Sequence, residues 1–195
     1  MQVTVLKEES VQQPIIVGNR IPKDFFIAMG TGESDITIHA GSYHLALKDA
    51  GIECYNIMTY SSILPAIATE VDKPEKYVHG SVAETIMATA HSTTGKRATA
   101  GIIFGWLYDK ISGKKYGGLV CEYNGNDSEE EAGTSLKASL QELYRNGFSD
   151  TFQLGEIKLM TNSFIPVKKF GTALVSLVFT NYLVPVEGVP GPALQ

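Results

Sequence analysis

The chain has 195 residues, of which 44% are apolar, 9% aromatic and 19% charged, with a formal net charge of −5. That is enough to bury the core of one domain, and the composition is neither that of a disordered nor that of a fibrous protein. The sixteen Lys and Arg are scattered rather than gathered into a stripe, which argues against a nucleic-acid partner.

Lys7, Glu8 and Glu9 interrupt the apolar stretch that a secretory leader needs, so the cytoplasm is the expected compartment. The two cysteines, Cys54 and Cys121, are too few for a disulfide framework and lie in apolar runs (IECYNIM, GLVCEY), as reduced thiols buried in strands do. Residues 1–20 carry little periodicity and read as an N-terminal extension, with the domain proper over 21–195. IPKDFFIAMG (21–30) has the form of a strand running into a turn at Gly30 and Gly32. GTGES after it is only a GxG, without the third glycine or the following helix of a dinucleotide loop.

Tyr43, Ala46, Leu47 and Ala50 fall on one helical face and Gly51 follows as a stop, so a short helix is expected from Ser42. Residues 52–58 alternate as a strand, with Ile52, Cys54 and Asn56 on one face. Three strands follow over 82–90, 98–107 and 116–123. The first has good helix formers, but its β-branched Val82, Thr85, Ile86 and Thr89 favour a strand. TTGK (93–96) and SGKK (112–115) supply glycines for two hairpins. Ser128 and Glu131 form a capping box ahead of a helix whose face is Ala132, Leu136, Ser139, Leu140 and Leu143, ending at Gly147. EIKLMTN, FIPV and ALVSLVFTNY give three more strands; GTALVSLVF is half the length needed to cross a bilayer and reads as buried. Two helices covering antiparallel sheets make an α+β fold, an αββα sandwich.

The stretch NIMTYSSILP (56–65) holds the adjacent serines Ser61 and Ser62. By itself a serine pair is a loop or strand end, Asn56 a strand residue pairing with backbone, and Glu122 in GLVCEY a residue on the polar face of its strand. In order along the chain, however, AL-x-x-AGI-x-x-x-N (46–56), SSI-x-P (61–65), GL-x-x-EY (118–123) and the acidic capped helix resemble the pyruvoyl-dependent arginine decarboxylases, over about Phe25 to Tyr182. GESD (32–35) resembles the bacterial, chlamydial-type branch.

The resemblance implies a chain that cuts itself between Ser61 and Ser62. The Ser62 hydroxyl attacks the Ser61 carbonyl, the ester undergoes β-elimination to dehydroalanine, and hydrolysis leaves a covalent pyruvoyl group derived from Ser62. Such a group is an electron sink for decarboxylation through a Schiff base, a role that pyridoxal phosphate fills elsewhere; no convincing lysine and phosphate cradle for that cofactor is evident. Asn56 is then implied as oxyanion donor for cleavage, and Glu122 as the proton donor in turnover. L-arginine would give agmatine and CO2, in a homotrimer with active sites at subunit interfaces. One departure stands out: the family commonly carries an acid on the first helix where this chain has His44. The guanidinium is therefore expected on Asp35, with Glu33 second, or the substrate is another amino acid. A third reading is an uncleaved, non-catalytic sandwich that only assembles. His39, His79 and His91 have no metal-like spacing, and no metal site is expected.

Overall fold

The computed structural model describes residues 19–75 and 78–184, so that of the expected extension only Asn19 and Arg20 are included. In chain order these residues form β1 (Ile21–Pro22), β2 (Asp24–Ser34), a π-helical segment (Ile38–Tyr43) that continues into α1 (His44–Asp49), β3 (Asn56–Thr59), β4 (Ile63–Pro65), β5 (Thr69–Glu70), β6 (Val82–Thr93), β7 (Ala98–Asp109), β8 (Lys115–Gly125), α2 (Glu129–Gly147), β9 (Phe152–Phe164), β10 (Phe170–Phe179) and β11 (Tyr182–Leu183). One sheet has the order β3-β6-β10-β2-β5, a second β4-β8-β7-β9, and β1 pairs with β11. The long pairings are antiparallel; the short edge strands β3 and β5 pair parallel with β6 and β2.

Side-chain alternation along the central strands sets the layers. In β10, Ala173, Val175, Leu177 and Phe179 enter the core between the two sheets, whereas Leu174 and Val178 join Ala46, Leu47 and Ala50 beneath α1. In β7, Ile102, Phe104 and Trp106 face the same central core, while Ile103 and Leu107 meet Leu136 and Leu140 of α2. Both faces of these strands are covered, which is why they read as unbroken apolar runs. The result is the expected αββα sandwich. Ser128 caps α2 in a reciprocal capping box with Glu131, and Gly51 ends α1 at φ +63°.

Several local expectations change. The turn expected at Gly30 and Gly32 is strand, since β2 continues to Ser34. The glycines instead let the helical segment lie on the sheet: a Cβ at Gly30 would stand 2.2 Å from the Ala46 carbonyl oxygen, and one at Gly32 2.3 Å from that of Ser42. The strand expected over 52–58 forms only from Asn56; Ile52 N–H still bonds the Leu47 carbonyl (2.9 Å), so 52–55 complete the turn out of α1 and Cys54 is not in a strand. TTGK joins no hairpin, because β6 and β7 belong to different sheets and the chain crosses between them there; SGKK does close the β7–β8 hairpin. Of FIPV, only Phe164 lies in a strand, the end of β9.

Candidate active site

The serine pair lies where the chain passes from one sheet to the other, β3 in the first and β4 in the second. Ahead of it, Tyr60 N–H bonds the Thr85 carbonyl in β6 (2.7 Å); behind it, the Ser62 carbonyl accepts Val120 N–H of β8 (3.2 Å). Ser61 is exposed and Ser62 half-buried. The Ser62 hydroxyl donates to Glu122 Oε1, and Ile63 N–H donates to the Ser61 carbonyl oxygen at 2.9 Å. A hydroxyl on a carboxylate, beside a carbonyl whose oxygen already receives an N–H, is suited to an acyl shift: the carboxylate can take the hydroxyl proton, and the N–H meets the oxygen where charge develops.

Glu122 reaches this point because β4 and β8 pair antiparallel with Ile63 opposite Leu119. Its side chain is half-buried on the same face of β8 as Val120 and opposite that of Cys121, whose thiol is pushed up by burial and by Glu122. The fold thus brings Ser61, Ser62 and Glu122 together.

Asn56 is elsewhere. It opens β3, and its amide donates to the Gly80 carbonyl at 2.7 Å. It lines a cavity of about 680 Å³ with His39, Tyr43, His44, Glu53 and Tyr55, and neither Ser62 nor Glu122 is among the lining residues. Glu53 is the one carboxylate there, near exposed His44 at the start of α1. His39 stacks on Tyr43 (5.7 Å between centroids) and His91 meets the Tyr43 ring edgewise (6.3 Å). Burial, and then the neighbouring His39, hold the His91 imidazole below its ordinary value.

Glu33 and Asp35 join neither group. Glu33 Oε2 accepts Val167 N–H (2.8 Å) and Lys168 N–H (3.2 Å), and Asp35 Oδ1 accepts Lys169 N–H (3.2 Å), so both carboxylates tie the loop after β9 to the end of β2. Among the described residues no cluster of three or more His, Cys, Asp or Glu could hold a metal, and no helix is long and apolar enough to cross a membrane.

A family model described as pyruvoyl-dependent arginine decarboxylase matches residues 24–184. The chain belongs to that family. It is similar to the pyruvoyl-dependent arginine decarboxylase AaxB of Chlamydia abortus, 32% identical over 186 aligned positions that cover 85% of this chain and 94% of the relative. The AaxB of Chlamydia trachomatis serovar D is 34% identical over 187 positions, covering 85% and 94%. The pyruvoyl-dependent arginine decarboxylase of Methanopyrus kandleri is 31% identical over 161 positions, covering 82% and 97%. Membership of a pyruvoyl-dependent family implies a pyruvoyl group as the cofactor.

Three groups near these residues escaped the sequence. The Ile63 N–H depends on a tight backbone turn that no residue type announces. Glu53 comes to line the same cavity as His44 and Asn56 only through the turn after α1. Glu84, buried in β6 and accepting the Tyr60 hydroxyl, carried the same signal as Glu122, a lone acid in an apolar strand.

Proposed function

We propose that the protein is a self-processing decarboxylase that converts L-arginine to agmatine and CO2. The observation that carries this reading is the Ser62 hydroxyl held on Glu122 directly after exposed Ser61. In maturation Ser62 Oγ bonds to the Ser61 carbonyl carbon, the Ser61–Ser62 amide bond breaks, and the hydroxyl proton passes by way of Glu122 to the freed nitrogen. Elimination then removes a proton from Ser62 Cα and breaks Cβ–Oγ, releasing Ser61 as a carboxylate; water converts the remaining dehydroalanine to the ketone, and ammonia leaves. The pyruvoyl ketone supplies the electron sink that decarboxylation needs. Glu122 afterwards faces the same position and is suited to hold the proton that returns to the substrate α-carbon.

The proposed assembly is a homotrimer with sites at subunit interfaces. Supporting it, Asn56 and His44 share a cavity that excludes Ser62 within one chain, as two halves of a site would if they met across protomers. Along the edge strand β3 and into β4, Met58 and Ile63 are 53% and 68% exposed, and Val82, paired with Asn56, is 56% exposed, more apolar surface than a free edge usually leaves open. For the guanidinium, Asp35 and Glu33 remain the candidates of the sequence, but their bonds to 167–169 favour Glu53, which has no partner among the described residues and shares the cavity lining with His44 and Asn56. A carboxylate is the fitting partner for a delocalised planar cation.

Intact mass of the purified chain is the deciding measurement. Fragments 1–61 and 62–195, the second with an N-terminal pyruvoyl, are expected, together with agmatine production when arginine is assayed beside lysine, ornithine, histidine and aspartate. A single uncut mass would return the chain to the non-catalytic sandwich. Preference for aspartate or histidine would instead make His44 the determinant of a different substrate.

A further inference from the structure

The peptide bond between Ser61 and Ser62 bridges two sheets, and the chain is held on both sides of it. On the Ser62 side the holding groups are the reacting ones, Glu122 and Val120 N–H. On the other side Tyr60 is gripped twice by consecutive residues of β6: its N–H bonds the Thr85 carbonyl at 2.7 Å, and its hydroxyl donates to Glu84 Oε2. The Tyr60 ring also packs against Phe179, with centroids 5.6 Å apart.

Glu84 is 2% exposed, and nothing in the cleavage or turnover chemistry described above uses it. A carboxylate in a sealed strand is costly unless paired, so its retention there needs a compensating partner. The Arg20 guanidinium provides one at Oε1, and Arg20 also lies over the Tyr182 ring (5.3 Å to its centroid). Burial pushes the Tyr182 phenol up to about 12. The remaining oxygen of Glu84 is aimed at the residue immediately before the scissile pair.

We infer that Glu84, acting through the Tyr60 hydroxyl, is a positioning residue for self-cleavage: it fixes the chain ahead of Ser61 so that the Ser61 carbonyl carbon stays in reach of Ser62 Oγ. The inference rests on the proposed self-processing. In the step concerned, the Ser62 Oγ to Ser61 carbon bond forms, the Ser61 carbon to Ser62 nitrogen bond breaks, and the proton ends on that nitrogen. Intramolecular attack demands reacting atoms held about 3–3.5 Å apart, and a displacement of about 1 Å can lower its rate by about 10²-fold. With Ser62 fixed to β8, the freedom that matters is on the Tyr60 side. The clamp controls it.

The full-length chain is to be expressed as wild type, Tyr60→Phe, Glu84→Gln, Glu84→Ala and the double variant Tyr60→Phe/Glu84→Ala, and the uncut fraction followed over time by intact mass. Tyr60→Phe keeps the ring on Phe179 and removes only the hydroxyl, so it carries the test even where Glu84→Ala folds poorly. Cleavage of Tyr60→Phe is expected to slow by at least about tenfold, the scale of losing a hydrogen bond to a charged group. Glu84→Gln, which keeps an acceptor for the hydroxyl, is expected to cleave faster than Glu84→Ala, and the double variant to be no slower than Tyr60→Phe by more than about twofold. Turnover per pyruvoyl in the fraction of Tyr60→Phe that does cleave should match wild type, which a general loss of structure would not allow. Tyr60→Phe cleaving within about twofold of wild type overturns the inference. If wild type and every variant stay whole, the self-processing reading falls and the clamp with it; a cleaving wild type with Tyr60→Phe cleaving at the wild-type rate rejects the clamp alone.

Discussion

Two hydroxyl–carboxylate pairs flank one peptide bond, Tyr60 with Glu84 before it and Ser62 with Glu122 after it, and they are built alike yet differ in access. Glu84 is sealed at 2% exposure, with its other oxygen neutralised by Arg20. Glu122 is half-buried on a strand whose neighbour β4 is only three residues long. A buried carboxylate held by a hydroxyl on one oxygen and a cation on the other has its geometry fixed and exchanges protons poorly. One at an open margin can accept a proton and give it up again. Burial, rather than residue type, therefore separates the acid suited to hold the chain from the acid suited to do chemistry on it.

The largest effect expected is at the serine itself. Ser62→Ala removes the attacking hydroxyl and should leave a single species near 21.1 kDa on a denaturing gel with no amine product; any cleavage at this bond in that variant would break the contrast by showing that Glu122 acts without its partner. Glu122→Gln keeps an amide oxygen that orients the Ser62 hydroxyl but cannot relay its proton, so cleavage should slow, while a substantial part of the protein should still mature given time. Its turnover per cleaved chain should fall by about 10²–10⁴-fold, as when a general acid is lost. Wild-type turnover in that variant would move the proton donor elsewhere.

Asn56→Ala tests whether the cavity that Asn56 shares with His44 takes part in maturation. Loss of one oxyanion donor slows such steps by about 10²–10³-fold. Cleavage at the wild-type rate would leave Ile63 N–H as the donor that suffices. In a mixture of Asn56→Ala and Glu122→Gln chains refolded together, sites at subunit interfaces should restore part of the activity that each variant lacks alone. Among the carboxylates, Glu53→Gln should raise KM for arginine by about tenfold or more with little change in cleavage. Asp35→Asn should loosen the 167–169 loop and raise KM less; the opposite order would return recognition to Asp35.

The smallest effect lies farthest from the scissile bond. Ser128→Ala should cost about 1 kcal/mol of stability without altering cleavage, seen as a lower Tm. Bonds from the Ser128 hydroxyl and N–H hold the Glu131 carboxyl below its ordinary value of 4.5, so the contribution of this capping box is present above pH 4.5 and lost as the pH falls through the lowered value. A matching change in cleavage rate would mean that α2 is coupled to the serine pair.

Elements decided by local pattern were legible from the residues. The capped helix α2, the α1 stripe ending at Gly51 and the strands of alternating or β-branched residues all follow from periodicity and capping, which depend on neighbours within a few positions. The order of the motifs around Asn56, Ser62 and Glu122 carried the family before any coordinates. Pairing was not legible. TTGK and SGKK are both glycine turns, yet one closes a hairpin and the other carries the chain between sheets, because the choice of partner strand is settled by distant surfaces. Gly30 and Gly32 looked like a turn for the same reason: the helix that needs their missing side chains arrives only on folding. Thus the sequence by itself determined which residues are chemically able to act and which elements form locally. Tertiary structure alone decided that Glu122 meets Ser62, that Glu84 meets Tyr60, that Glu33 and Asp35 are taken up by backbone amides, and that Asn56 and His44 share a separate cavity. A side chain's partners, and the dielectric it sits in, are properties of packing between segments far apart in the chain.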